Sequence, residues 1–110
     1  MATETKTETI VLTGASGKKY TFYVYPWGTE FKAVGGVYAV LKNNGSTNSV
    51  IYIGQTGDLS ERFDNHHKKD CFRRHGATHI AAFVEGNEQA RLAAESDLIA
   101  AYNPPCNEKG

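Results

Sequence analysis

The chain has 110 residues, of which 40% are apolar, and its 12 Lys and Arg residues balance 12 Asp and Glu residues, so its net charge is zero. This length supports one hydrophobic core, and the composition is that of a globular domain rather than of a disulfide scaffold or a disordered chain. The neutral balance disfavours binding of nucleic acid through overall charge, and apolar runs of five residues are far shorter than the roughly twenty that cross a membrane.

The first ten residues carry two acids and one base but no apolar stretch, which is not the pattern of a secretory signal. We therefore expect a cytoplasmic protein. Thiols stay reduced in that compartment, so Cys71 and Cys106 are predicted to be reduced.

The N-terminal part of the chain predicts a β-hairpin. Residues 9–13 and 18–25 are two β-rich runs on either side of a glycine-bounded turn, and Pro26-Trp27-Gly28 ends the second run. We expect residues 1–32 to form a hairpin extension on one compact domain over residues 33–110.

A second pair of strands, over residues 35–42 and 49–54, contains two candidate site residues. If a five-residue loop over 43–47 joins these strands, Tyr38 lies directly across from Tyr52 and both phenols share one face. The alternative is a two-residue Asn44-Gly45 turn, which would place the tyrosines on opposite faces. The register therefore decides whether the two phenols can form one site.

The five-residue loop also predicts the neighbours of the two phenols. Gly36 would lie across from Gly54 and Val40 across from Val50, and the two glycines would leave room for a ligand. The opposite face would be an aliphatic core face made of Val37, Ala39, Leu41, Ile51 and Ile53.

The next predicted element is a helix that begins at Asp58 and runs to about Lys69, because Asp58-Leu-Ser-Glu61 has the pattern of a capping box. Arg62 and His66 lie one turn apart on the stripe that faces the sheet. An inward Arg62 needs an anion to offset its desolvation. Alternatively, both side chains lie at the edge of the stripe and extend to water.

The segment from residue 62 to residue 74 is basic, with five Lys or Arg residues against two Asp residues. Two interpretations stay open, a nucleic-acid contact surface and a solvated helix face. The basic residues are Arg62, Lys68, Lys69, Arg73 and Arg74.

A possible zinc pattern overlaps this segment, because His67, Cys71, His75 and His79 recur every four residues. The predicted helix ends near residue 69, and a further strand is predicted over 78–84. We therefore expect that these four side chains do not share one face.

Asn87 is the predicted N-cap of a last helix that continues to Tyr102 and stops before Asn103-Pro104-Pro105. At about 100° per residue, Glu95 lies in the middle of the apolar stripe of this helix, where unpaired carboxylates are rare. One interpretation is an ion pair with Arg91. The other is a functional carboxylate, acting as a metal ligand or a general base.

These features together resemble the GIY-YIG nuclease family over about two-thirds of the chain. Gly36-Val37-Tyr38 resembles the first family motif, with Val in place of Ile, and Tyr52-Ile53-Gly54 matches the second. The remaining matches, in order, are Gln55-Thr-Gly-Asp-Leu59, Arg62, His66, His75, Glu95 and Asn103-Pro-Pro-Cys-Asn107.

The resemblance implies an α+β fold, a small antiparallel sheet flanked by helices, here with the added hairpin. It implies an endonuclease that hydrolyses phosphodiester bonds in DNA, with RNA as the alternative substrate. Glu95 would hold one divalent ion, Mg²⁺ or Mn²⁺, and Arg62 would face the scissile phosphate.

The resemblance also assigns roles to the other site residues. Tyr38 would act as the general base or position the attacking water, with Tyr52 and His66 nearby, and His66 is the alternative proton acceptor. His75 and Asn107 would position substrate or water.

Nucleic-acid contacts are expected from Gly54, Arg62, Lys68, Lys69, Arg73 and Arg74. Nuclease domains of this family usually take their specificity from appended domains, so we expect an unidentified specificity partner. The rival hypothesis is a module of the same fold that binds nucleic acid or a protein partner without cutting.

Overall fold

The computed structural model describes residues 8–61 and 68–107, and strands dominate this part of the chain. The elements in chain order are β1 (Glu8–Thr13), β2 (Lys19–Pro26), β3 (Gly36–Asn43), β4 (Asn48–Thr56), α1 (Lys69–Arg74), β5 (His79–Val84), α2 (Glu88–Tyr102) and a 3₁₀ turn (Pro105–Asn107). Within these residues, no helix is both long and apolar enough to span a membrane.

The strands form one antiparallel sheet in the order β1-β2-β5-β3-β4. The predicted N-terminal hairpin is confirmed as β1 and β2, and its second strand pairs with β5, Tyr23 opposite Ala82. The hairpin thereby extends the sheet and covers one edge of β5. The division of the chain at residues 32 and 33 stays a prediction.

The two faces of the sheet bury different kinds of side chain. One face carries the aliphatic core, in which Phe22 and Leu98 are fully buried, and α2 packs on it. Burial of each of these two side chains contributes about 1.5–3 kcal/mol. The other face carries the tyrosines together with Ile80 and Phe72. The candidate site residues of the sheet therefore lie on the face opposite the aliphatic core.

The register of β3 and β4 differs from both predicted registers. Tyr38 pairs with Gly54, and Val40 pairs with Tyr52, so the two tyrosines lie diagonally across one face. The shared face is confirmed, but the direct Tyr38–Tyr52 pairing is wrong. The connection is a four-residue loop, which the Asn44 side chain stabilises by accepting hydrogen bonds from the N–H and hydroxyl of Thr47.

A β-bulge opposite Val40 and Leu41 causes this difference, because Val40 pairs with Tyr52 but Leu41 pairs with Val50. The extra residue is Ile51, which packs with Val40 and Phe72 on the tyrosine face. The prediction of Ile51 on the core face is therefore wrong, and Val50 packs there instead.

The helix predicted from Asp58 is wrong at both ends within the described residues. The Asp58 carboxylate accepts a hydrogen bond from the N–H of Ser60 at 2.8 Å, and Leu59 and Ser60 form a turn rather than a helix. Such Asx turns compete with helix caps for the same carboxylate. The observed helix, α1, begins at Lys69, where the predicted helix was expected to end, and runs to Arg74.

The last helix agrees with its prediction. The Asn87 side chain accepts a hydrogen bond from the N–H of Ala90 at 2.9 Å, which caps the helix. At the other end Asn103 adopts the left-handed conformation with φ of 46°, and the prolines follow. Because α2 keeps this length, Glu95 lies in the middle of a well-defined helix.

A disulfide joins Cys71 in α1 to Cys106 in the 3₁₀ turn, so the prediction of reduced cysteines is wrong for this structure. The cysteines are 35 residues apart in sequence. Because α1 extends to Arg74, Cys71 lies where the C-terminal turn can reach it. For a loop of this length, the cross-link stabilises the fold by about 4 kcal/mol in the chain-entropy description.

Candidate active site

Two phenols form the centre of the candidate site. The ring centroids of Tyr38 and Tyr52 are 6.0 Å apart, and Tyr38 is only 5% exposed. Burial is the main cause that raises the pKa of both phenols. Their hydroxyls also share a hydrogen bond, which raises the pKa of Tyr38 and acts to lower that of Tyr52.

Nearby negative charge raises the pKa of the phenols further, in addition to burial. Glu95 acts on both tyrosines, and Glu61 acts on Tyr38. Without an added cation, both groups therefore stay protonated at neutral pH. No sequence pattern indicated that the charge of Glu61 would act on Tyr38, because the predicted role of Glu61 was to cap a helix.

The glycine of the second family motif makes room for a phenol. A Cβ atom at Gly54 would lie 2.7 Å from both Cζ and Oη of Tyr38 and 3.0 Å from Cε2 of Tyr52. Gly36, which pairs with Thr56 rather than with Gly54, is similarly crowded, because a Cβ there would lie 2.7 Å from Leu59. The prediction that these glycines leave room for a ligand is therefore wrong, since other atoms of the protein fill both spaces, including the carbonyl oxygen of Phe83 at Gly36.

Glu95 supplies a half-buried carboxylate on α2. Desolvation raises the pKa of Glu95, and its charge contributes to the raised pKa of both phenols. Among residues 8–61 and 68–107 it forms no ion pair. A partly buried carboxylate without a cation partner is unfavourable unless something else offsets its charge.

Arg91 does not pair with Glu95, so the interpretation of Glu95 as half of an ion pair is wrong. The Arg91 guanidinium donates to the side chain of Gln55 at 2.9 Å and to the carbonyls of Glu85 and Gly86 at 3.1 Å each. It is 8% exposed and connects the end of β4 to the segment before α2. The only feature of the sequence that pointed to this structural role is the position of Arg91 near the apolar stripe of α2.

Asn107 lies against β4 at Ile53, the residue between Tyr52 and Gly54. Its side-chain oxygen accepts from the N–H of Ile53 at 2.8 Å, and its amide nitrogen donates to the carbonyl of the same residue at 2.9 Å. Asn107 thereby fixes the backbone next to Tyr52. Its predicted role in positioning substrate or water stays a prediction.

The basic helix α1 lies beside the phenols, because the rings of Phe72 and Tyr52 are 5.3 Å apart. Lys69, Arg73 and Arg74 are exposed on or at the ends of this helix, and Lys68 precedes it. Arg62 and His66 lie outside the described residues, so their predicted places in the site stay predictions.

His75 lies at the C-terminal end of α1, where its imidazole clusters with the two cysteines. Cys71 and His75 therefore come together with Cys106 rather than with His79. His79 belongs to β5, and His67 lies outside the described residues. A role for His75 in positioning substrate stays a prediction.

The electrostatics of the site suit a small, hard cation. The charge of Glu95 acts on both phenols and that of Glu61 acts on Tyr38, and oxygen ligands are those that Mg²⁺ and Mn²⁺ prefer. Glu95 is the best placed ligand, because its carboxylate is partly desolvated and unpaired in the part of the chain that the structure describes. The residues present therefore fit a divalent ion.

Comparison with known proteins identifies the class to which this fold and site belong. The GIY-YIG catalytic domain matches residues 34–109, and the chain belongs to the GIY-YIG family. The predicted family and the α+β fold class are thus confirmed, and the family is one of nucleases.

Among solved structures, the chain resembles the GIY-YIG N-terminal endonuclease domain of UvrC from Thermotoga maritima, a point mutant bound to its catalytic divalent cation. The two share 33% sequence identity, and the match covers 71% of this chain and 87% of that domain with a TM-score of 0.56. No curated protein sequence matches the chain.

Proposed function

We propose that this chain is a metal-dependent endonuclease that hydrolyses phosphodiester bonds in DNA with a single divalent ion. The observation that carries the proposal is the half-buried Glu95 carboxylate, which has no ion-pair partner among the described residues and whose charge acts on the hydrogen-bonded Tyr38 and Tyr52. The UvrC domain that the chain resembles was crystallised with a catalytic divalent cation, which supports a metal in the same class of site.

Glu95 would hold the ion, which is Mg²⁺ or Mn²⁺ in this proposal. When bound, the ion would supply positive charge that offsets the charge developing on phosphate oxygens. A single protein carboxylate is sufficient for Mg²⁺, because this ion keeps several of its waters and also binds substrate phosphate.

The two phenols would orient the attacking water. Burial and neighbouring carboxylates keep Tyr38 protonated in the absence of cations, so its hydroxyl can donate to Tyr52 and hold that phenol in one position. Tyr38 becomes a proton acceptor only where added positive charge lowers its pKa. We propose that Arg62 contributes such charge and faces the phosphate, with His66 as the alternative proton acceptor.

The DNA backbone would lie along α1. Lys69, Arg73 and Arg74 are exposed there, and the contact of Phe72 with Tyr52 brings this helix next to the phenols. Lys68, which precedes α1, would complete the contact surface. Gly54 is buried under the two phenols, so we do not include it in this surface. Because the net charge of the chain is zero, this local cluster would account for most of the salt dependence of binding.

Nicking of supercoiled plasmid tests the proposal. We expect nicking that requires Mg²⁺ or Mn²⁺ and stops with a chelator. Glu95→Gln should lower the rate by at least about a hundredfold, the scale on which removal of one charge-stabilising group acts. Glu88→Gln is the matched control, because Glu88 is an exposed residue in the first turn of the same helix, and it should keep full activity.

Full activity of Glu95→Gln, with the variant still folded by circular dichroism, would rule out this metal assignment. Plasmid that binds without being cut under all metal conditions would favour the module that binds without cutting. RNA as the substrate, a cytoplasmic location and a specificity partner stay predictions from the sequence.

A further inference from the structure

A second group of potential metal ligands lies towards the C-terminal end of α1. The sulfurs of Cys71 and Cys106 and one imidazole nitrogen of His75 all lie within 4.8 Å of one another. Cys71 and His75 are separated by one helical turn, and Cys106 arrives from the 3₁₀ turn. In the described part of the chain this is the one group of three such ligands.

We propose that these three side chains form a site for a soft divalent ion such as Zn²⁺, which fills when the disulfide is reduced. Two thiolates and one imidazole are ligands that select zinc rather than Mg²⁺. The proposal does not depend on nuclease activity, because Glu95 is not among the ligands.

The geometry needs only a small rearrangement. In a tetrahedral zinc site with Zn–S bonds of about 2.3 Å, two sulfurs lie about 3.8 Å apart. After the S–S bond breaks, rotation of the two cysteine side chains reaches this separation, and the imidazole is already within 4.8 Å of both sulfurs. The described residues supply three ligands, so water takes the fourth position.

The redox step balances with a dithiol as the reductant. Its thiolate attacks Cys71 Sγ, which is the more accessible sulfur because Cys71 is half-buried whereas Cys106 is only 1% exposed. Cys106 leaves as a thiolate, and the second thiol of the reductant then releases Cys71 and closes the reductant disulfide. Two electrons and two protons pass to the cysteines, and Zn²⁺ binding displaces the protons.

The disulfide-bonded form and the proposed zinc-bound form would connect the same two elements, α1 and the C-terminal 3₁₀ turn. With the disulfide formed, a covalent bond holds α1 to the C-terminal turn, and with zinc bound, the ion would hold the same two elements together. Loss of both connections would leave the turn attached to β4 mainly through Asn107.

Metal binding to the full chain in the Glu95→Gln background tests the proposal, because this variant removes the ligand of the proposed nuclease ion. The protein is reduced with a phosphine, which leaves no competing thiol, and titrated with Co²⁺ and Zn²⁺. We expect one ion per reduced chain, a thiolate-to-cobalt charge-transfer absorption, and slower alkylation of both cysteines when Zn²⁺ is present. The oxidised chain should bind neither ion at this site.

Variants assign the ligands. Replacing Cys71 and Cys106 with Ser should abolish the absorption, and His75→Ala should weaken Co²⁺ binding by more than about tenfold. His79→Ala is the control, because the imidazole of His79, the first residue of β5, contacts the hydroxyl of Thr78, and the variant should bind Co²⁺ like the parent.

Three results would each overturn the site. The first is a reduced chain that is folded by circular dichroism but gives no cobalt absorption. The second is absorption that survives both serine substitutions, and the third is equal weakening by His75→Ala and His79→Ala.

Discussion

A methyl group added at residue 54 tests the packing of the two phenols directly. In Gly54→Ala the new Cβ would lie 2.7 Å from Cζ and Oη of Tyr38, where ordinary contacts begin near 3.4 Å. The ring must therefore retreat by about 0.7 Å to restore a normal van der Waals distance. Leu59, Ile80 and Ala82 pack around Tyr38 and oppose this movement.

The expected loss of stability is obtained by comparison with a matched control variant, Gly86→Ala. Replacement of glycine by alanine without strain stabilises a protein by about 0.4–1 kcal/mol through the unfolded chain. Gly86→Ala should show that gain, because a Cβ added there would meet nothing within 4 Å and neither glycine has a positive φ. Overpacking costs about 1–3 kcal/mol, so Gly54→Ala should be less stable than Gly86→Ala by about that amount.

Urea denaturation of the two variants measures the difference. In a Tyr38→Leu background, which removes Cζ and Oη, the added methyl at residue 54 should cost much less, so the two substitutions should be strongly coupled. Displacement of the phenol should also slow plasmid nicking, since misplacement of about 1 Å can cost a hundredfold in rate. Equal stability of Gly54→Ala and Gly86→Ala would refute the close packing of Tyr38 on the glycine.

Two further predictions concern α2. Asn87→Ala removes the oxygen that accepts from Ala90, so it should lower the free energy of unfolding by about 1 kcal/mol in urea denaturation, whereas Asn87→Asp should restore most of it. Asp97 carries a pKa below its usual range, chiefly because the Ser16 hydroxyl and then the Ser16 N–H donate to it. The ionised form therefore stabilises the fold above the unfolded-state pKa of about 4, and this contribution is lost as the pH falls through the lower folded-state value. The difference in urea midpoint between the wild type and Asp97→Asn should accordingly be largest above pH ~5 and shrink towards pH ~2, and a difference that does not vary with pH would contradict this explanation.

Local signals were sufficient for several elements of the fold. The alternation of β-rich runs and turns located all four strands of the two hairpins, and Asn87 located the start of α2 because an N-cap acts within one turn. The position of Glu95 followed from helical periodicity alone. Each of these features depends on residues that are close together in sequence.

Features that depend on distant residues could not be predicted in this way. The bulge at Ile51 is favoured because Val40 and Phe72 offer it a packing site, and α1 is far from β4 in sequence. The capping box at Asp58 was misleading because the same carboxylate can close an Asx turn with Ser60. The disulfide required knowledge of where the C-terminal turn folds back.

The side chain of Asn107 has a consequence for association of this protein with other chains. β4 is an outer strand of the sheet, and outer strands offer unpaired peptide groups to any extended segment that approaches. Here the outward N–H and C=O of Ile53 are already occupied, by an amide that imitates one residue of a sixth strand. Lateral growth of the sheet is thereby blocked at the middle of β4, next to the site. At the opposite edge, the N–H of Thr13 in β1 is likewise occupied, because it donates to the hydroxyl of Tyr102.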